Sequence, residues 1–137
     1  TGAATAVAKA LPEFAGKLTG SSIRVPTPNV SLAILNLTLS RPATKDEVND
    51  YLRRASLHSQ LRQQIDYVES PEVVSTDFVG SHRAGIVDGL ATIANDVNMV
   101  LYVWYDNEYG YSYAPRGLPQ ARRRPPRERL RTQGLFR

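Results

Sequence analysis

Trp104-Tyr105-Asp106-Asn107-Glu108-Tyr109-Gly110-Tyr111-Ser112 is the stretch on which the reading of this chain turns. The apolar run Met99-Val100-Leu101-Tyr102-Val103 precedes it, so a buried strand is expected to deliver polar groups at its exit. A rigid strand fixes such residues while the loop beyond leaves them accessible, and folds place chemistry there for that reason. Asn107 offers a carbonyl acceptor and an amide donor, which suits pairing with another carboxamide. The same Asp, Asn and Gly also serve an ordinary strand-end turn, and spacing alone does not separate the two readings.

Upstream of that strand the pattern alternates between one well-marked helix and several short strands. Leu32 to Ser40 reads as a strand, with Leu35, Leu37 and Leu39 on one face and Asn36, Thr38 and Ser40 on the other. Thr44 to Leu57 reads as a helix: Thr44 caps it, Glu47 completes a capping box, and Val48, Tyr51, Leu52 and Ala55 form its buried stripe. Short strands are expected at Ser22 to Val25, Ile65 to Val68, Val73 to Phe78, Ala91 to Ala94 and Met99 to Tyr105, with Ile86-Val87-Asp88-Gly89 as a loop. Ala3 to Leu11 has helical spacing and stops at Pro12. One good helix among many strands joined by short turns predicts an α+β fold with a mixed, mostly antiparallel sheet.

Composition sets the bounds. The 137 residues are 42% hydrophobic, enough for one globular domain, and contain no cysteine, which excludes disulfides and thiolate metal sites. No apolar run approaches the roughly 20 residues that span a bilayer, and no basic-then-apolar leader opens the chain, so cytoplasm is the expected compartment and no membrane partner is expected. The net charge of +4 hides two different regions. Through Ser112 there are nine lysines and arginines against twelve acids, a net −3; from Tyr113 on there are eight arginines against one glutamate, a net +7. Those last 25 residues also hold four prolines and few apolar groups, which predicts an Arg/Pro-rich disordered tail over 113–137. Such sequence is what a shifted reading frame in GC-rich DNA yields. The rival reading is a non-enzymatic nucleic-acid-binding protein acting through clustered arginines, disfavoured because aromatic groups for stacking are nearly lacking there.

Three ordered motifs carry a family resemblance over roughly residues 1–112. Thr1-Gly2-Ala3-Ala4 with Leu11-Pro12-Glu13-Phe14 and Gly16-Lys17-Leu18-Thr19-Gly20, then Ile23-Arg24-Val25-Pro26-Thr27-Pro28-Asn29-Val30-Ser31, then the segment from Trp104 to Ser112 together resemble the catalytic domain of phosphorylating glyceraldehyde-3-phosphate dehydrogenases. The resemblance implies an incomplete domain of that type, with helices packed on one face of the sheet. It also implies oxidation of glyceraldehyde 3-phosphate to 1,3-bisphosphoglycerate with NAD or NADP and inorganic phosphate, through a cysteine hemithioacetal, in a homotetramer. A relative acting on erythrose 4-phosphate is the alternative within the enzymes. No cysteine and no Gly-x-Gly-x-x-Gly turn occur in the chain. A fragment without nucleophile, histidine base or cofactor domain, inactive by itself, is therefore expected.

What the resemblance assigns to particular residues follows the motifs. Arg24 resembles the arginine that contacts substrate phosphate; a guanidinium forks onto phosphate oxygens in a way lysine does not. It stands between Ile23 and Val25, where an arginine is costly unless it faces water or an anion. Thr1 and Gly2 look like the pair at the pocket for attacking phosphate, where a hydroxyl, a backbone amide and a helix start form an anion site. Asn107 matches the asparagine that holds the nicotinamide carboxamide, with Tyr105, Glu108 and Tyr111 as pocket wall. His58 and His82 match no catalytic position, and no cluster of side chains has metal-ligand spacing.

Overall fold

Two eight-residue runs of strand-forming side chains carry the architecture. Ser31–Thr38 (β1) pairs antiparallel with Asn98–Tyr105 along its whole length, from Ser31 opposite Tyr105 to Thr38 opposite Asn98. The computed structural model describes residues 2–112, with backbone alone at 2–5, 111 and 112. Thr1 and the Arg/Pro-rich tail of 113–137 lie outside the described residues. In chain order the remaining elements are Gly2–Ala10 (α1), Lys45–His58 (α2), Ile65–Val68 (β2), Gly85–Asp88 (β3), Ile93–Asn95 (β4), then Asn98–Tyr105 (β5) and Tyr109–Ser112 (α3). Short 3-10 helices occupy Pro12–Phe14 and Ser75–Phe78.

The sheet order is β1-β5-β3-β2, with β4 also on β5; all pairings are antiparallel except β2 with β3. This is the mixed, mostly antiparallel α+β sheet that the sequence predicts. Helix α2 starts where expected: the Glu47 amide donates to Thr44 Oγ1 (3.2 Å) and the Thr44 amide to Glu47 Oε2 (2.9 Å). The two bonds satisfy donors that the first turn otherwise leaves open. Val48, fully buried, points from α2 into a core of Leu39, Ala43, Met99 and Leu101, with Leu37, Leu52 and Ala94 packed around it. Leu37 and Leu39 thus face the helix as their alternation requires. The opposite face of the sheet is left partly uncovered, with Leu32, Ile34 and Ile93 exposed.

Four expectations are corrected. Ser22 to Val25 is not a strand: Ile23 and Val25 are exposed, and the backbone closes only a tight turn from Thr27 N–H to Val25 O (2.9 Å). Pro26 and Pro28 bring no N–H to a ladder. Val73 to Phe78 turns into the 3-10 helix because Asp77 accepts the Val74 amide (2.8 Å), a local bond that outcompetes extended pairing. Ile86 to Gly89 is no loop: Gly85–Asp88 is β3, buried between β2 and β5. The strand expected at Ala91 to Ala94 is shorter and shifted, at Ile93–Asn95.

Candidate functional site

Pairing of Ser31 with Tyr105 puts the start of β1 and the end of β5 at the same end of the sheet. The chain therefore enters β1, through Asn29 and Val30, at the end where it leaves β5 for the Asn107 turn. Between them sits Asp106, 2% exposed. Its Oδ2 accepts the Asn29 side-chain amide (3.1 Å) and the Gly80 backbone amide (2.9 Å). Its Oδ1 accepts the amides of Glu108 (2.9 Å) and Tyr109 (3.1 Å), capping α3. Its own carbonyl accepts the Gly110 amide at 2.9 Å. One carboxylate thus fastens three separate segments.

The segment on the Arg24 side is held under strain. Val30 is buried and has φ +70°, a left-handed conformation that costs a β-branched residue about 1–3 kcal/mol. Asn29 offsets this with both ends of its side chain: Oδ1 accepts the Val30 amide (2.8 Å) while Nδ2 reaches Asp106. Glycine is required at two neighbouring positions. Gly80 presents its amide at φ +81°, and a Cβ at Gly110 would lie 2.6 Å from the Arg83 carbonyl oxygen. The His82 ring stands 6.0 Å from that of Tyr109, joining the Gly80 loop to α3 once more.

Hydrogen bonds from the Gly80 and Tyr109 amides, ahead of the opposing effect of burial and the further bonds from Glu108 and Asn29, hold the Asp106 carboxyl below its ordinary value of 3.8. The folded protein prefers the ionised form. Its stabilisation is therefore complete above 3.8 and is lost as pH falls through the lower folded value. Titrated by NMR from neutrality, the Gly80 and Tyr109 amide shifts should move together with a midpoint below pH 3.8. A common midpoint above that value would contradict the network.

The expected site residues fall as follows. Arg24 is exposed, and no ion pair or hydrogen bond among the described residues engages its guanidinium. Asn107 is exposed at the turn, its carboxamide likewise unengaged among the described residues. That donor-and-acceptor pair fits a second carboxamide such as that of nicotinamide. Tyr105 is half-buried at the end of β5, and Glu108 is exposed beside Asn107 with its amide on Asp106. Tyr111 belongs to α3. Gly2 begins α1, and no hydrogen bond among the described residues joins α1 to the sheet; the structure does not tie Gly2 to the Asp106 cluster. Sequence reasoning missed Asp106 and Gly80. The available signal was the Asp two residues before Glu108 and three before Tyr109, a helix-capping spacing hidden inside a motif read for its asparagine.

A second concavity, about 240 Å³, opens between α2 and β2 and is lined by Asp46, Asn49, Asp50, Arg53, Tyr67 and Glu69. Asp50 pairs with Arg53 (3.2 Å) and Arg54 (2.9 Å), and the Tyr67 hydroxyl donates to Glu69 (2.5 Å). Burial, then that bond, pushes the Tyr67 phenol above its usual range. No three His, Asp or Glu side chains gather to hold a metal among the described residues, and no helix there is long and apolar enough to cross a membrane.

Residues 1–107 match a sequence model of the family described as glyceraldehyde 3-phosphate dehydrogenase, C-terminal domain. A glyceraldehyde-3-phosphate dehydrogenase-like protein of Pseudomonas aeruginosa (strain UCBPP-PA14) is 68% identical over 112 residues, 82% of this chain and 24% of that protein. The glyceraldehyde-3-phosphate dehydrogenase of Echinococcus multilocularis is 50% identical over 113 residues, 82% of this chain and 33% of that one. The cytosolic enzyme of Ginkgo biloba is 49% identical over 113 residues, with the same two shares. The chain spans about a quarter to a third of the length of these relatives.

Proposed function

Since this chain belongs to the glyceraldehyde-3-phosphate dehydrogenase family, as its C-terminal domain, we propose that it supplies the substrate-phosphate arm and the nicotinamide-orienting turn of such an enzyme. The reaction is oxidation of glyceraldehyde 3-phosphate to 1,3-bisphosphoglycerate with a nicotinamide cofactor and inorganic phosphate. The observation that supports the proposal is the shared end of β1 and β5: Ser31 pairs with Tyr105, and Asn29, five residues after Arg24, bonds Asp106, the residue before Asn107, at 3.1 Å. Arg24 binds the substrate phosphate through its fork of donors. Thr1 and Gly2 serve the attacking phosphate. Asn107 orients the nicotinamide, which accepts hydride when bound, and Tyr105, Glu108 and Tyr111 wall that pocket. NAD and NADP both fit this role, because the carboxamide end is common to them.

The 137 residues contain no cysteine, so these residues alone are expected to form no NADH even with arsenate present. The uncovered sheet face with Leu32, Ile34 and Ile93 exposed supports assembly with further copies, as a homotetramer. Cytosolic relatives in Ginkgo biloba and Sinapis alba support a cytoplasmic location.

Asn107→Ala tests the assignment in an active dehydrogenase carrying this segment. Losing one oriented hydrogen-bonding group should slow hydride transfer on the order of tenfold or more in a single turnover. Cofactor affinity, set largely by the adenine end, should change much less. An unchanged single-turnover rate would remove Asn107 from the site.

A further inference from the structure

Every donor around Asp106 points at it, and none of its oxygens has a partner that accepts. Four N–H groups converge, two on each oxygen: Asn29 Nδ2 and the Gly80 amide on Oδ2, the Glu108 and Tyr109 amides on Oδ1. Only a carboxylate satisfies that pattern. An asparagine of the same shape has one acceptor oxygen, and its NH₂ would face two donors. Either the cap of α3 or the tie to Asn29 and Gly80 would then be broken. These two losses fall on opposite sides of the site. The cap aims the turn that carries Asn107; the tie fixes the strained Asn29-Val30 pair through which the Arg24 segment joins β1.

We infer that Asp106 is the positioning residue of this site, a single carboxylate that sets the Arg24 arm and the Asn107 turn relative to one another. It contacts neither substrate nor cofactor and acts through the backbone on both sides. The inference rests on the proposed roles of Arg24 and Asn107. Its signature differs from that of either residue. Arg24 serves the substrate and Asn107 the hydride step, whereas a clasp between them moves both.

The test compares D106N, R24A, N107A and N29A in an active dehydrogenase carrying this segment. D106N should raise KM for the phosphorylated aldehyde and slow single-turnover hydride transfer, each about 10-fold or more. R24A should move mainly the first and N107A mainly the second. In an R24A background, D106N should add nothing to KM, because the arm it holds no longer carries the contact; KM losses that multiply would overturn the inference. Asn29→Ala removes the Asn29 half of the tie, and with it the bond to the Val30 amide, but leaves the Gly80 bond and the cap, so it should raise KM and spare the hydride rate. Should D106N fail to fold, N29A decides, and an unchanged KM in N29A overturns the clasp. If R24A itself leaves KM unchanged, the reading of Arg24 falls. The clasp is then judged separately in the 137-residue chain, where D106N must shift the Gly80 and Val30 amide resonances together; resonances that stay in place overturn it.

Discussion

Replacing Arg24 by alanine in an active dehydrogenase carrying this segment should cost about 2–4 kcal/mol of transition-state stabilisation with a phosphorylated aldehyde, roughly 30- to 900-fold in kcat/KM. The size follows from losing charge-assisted hydrogen bonds to a phosphate, which are stronger than bonds between neutral groups. An unphosphorylated aldehyde makes no such contact and should lose far less. Folding stability should not change, since Arg24 is exposed and its side chain is engaged by no group among the described residues. Steady-state kinetics on the two aldehydes measures the difference directly. Equal losses on both would mark Arg24 as a residue of the fold.

Core and site should separate just as cleanly from the other side. Met99, 1% exposed, sits with Val48, Leu39 and Leu101 at the start of β5. Asp106 follows the strand's far end, roughly 20 Å along at about 3.3 Å per residue. Met99→Ala removes buried methylenes and leaves a void that Val48 and Leu101 cannot fully close, so a loss of about 2–5 kcal/mol is expected. Urea unfolding of the chain should show a lower midpoint with an unchanged slope. The Gly80 and Tyr109 amide shifts should stay where they are. A loss under about 1 kcal/mol would mean that this cluster is not the core, on the magnitude typical of such truncations.

The parts of the fold that were legible in sequence are those decided by local chemistry. Thr44 and Glu47 mark the start of α2 because both halves of the capping box lie within four residues. β1 and β5 declare themselves by length, since each has eight residues of strand-forming sequence. β3 was illegible for the converse reason. It has four residues, opens on Gly85 and is followed by Gly89, and only β5 and β2 on its flanks make it a strand. Val73 to Phe78 misled through its β-branched residues, whose weak preference yields to one Asp77 bond.

At the site, the sequence motifs proposed Arg24 and Asn107 but gave no means of relating them. The bond between Asn29 and Asp106 spans 77 positions, and the Gly80 bond spans 26. Neither has any local signature. Val30 in a left-handed conformation was equally invisible, because nothing in a valine announces it. The family was legible in the motifs; how the segments that carry them meet required the register of β1 on β5.

The most direct test of the central claim, that this segment furnishes the phosphate arm and nicotinamide turn of a phosphorylating dehydrogenase, is a transplant. Residues 1–112 of this chain would replace the matching third of a full-length relative such as the Echinococcus multilocularis enzyme, and NADH formation would be followed by absorbance. The expected result is activity that requires both glyceraldehyde 3-phosphate and inorganic phosphate. A folded chimera that binds NAD yet forms no NADH, or that is indifferent to the phosphate on its aldehyde, would contradict the claim.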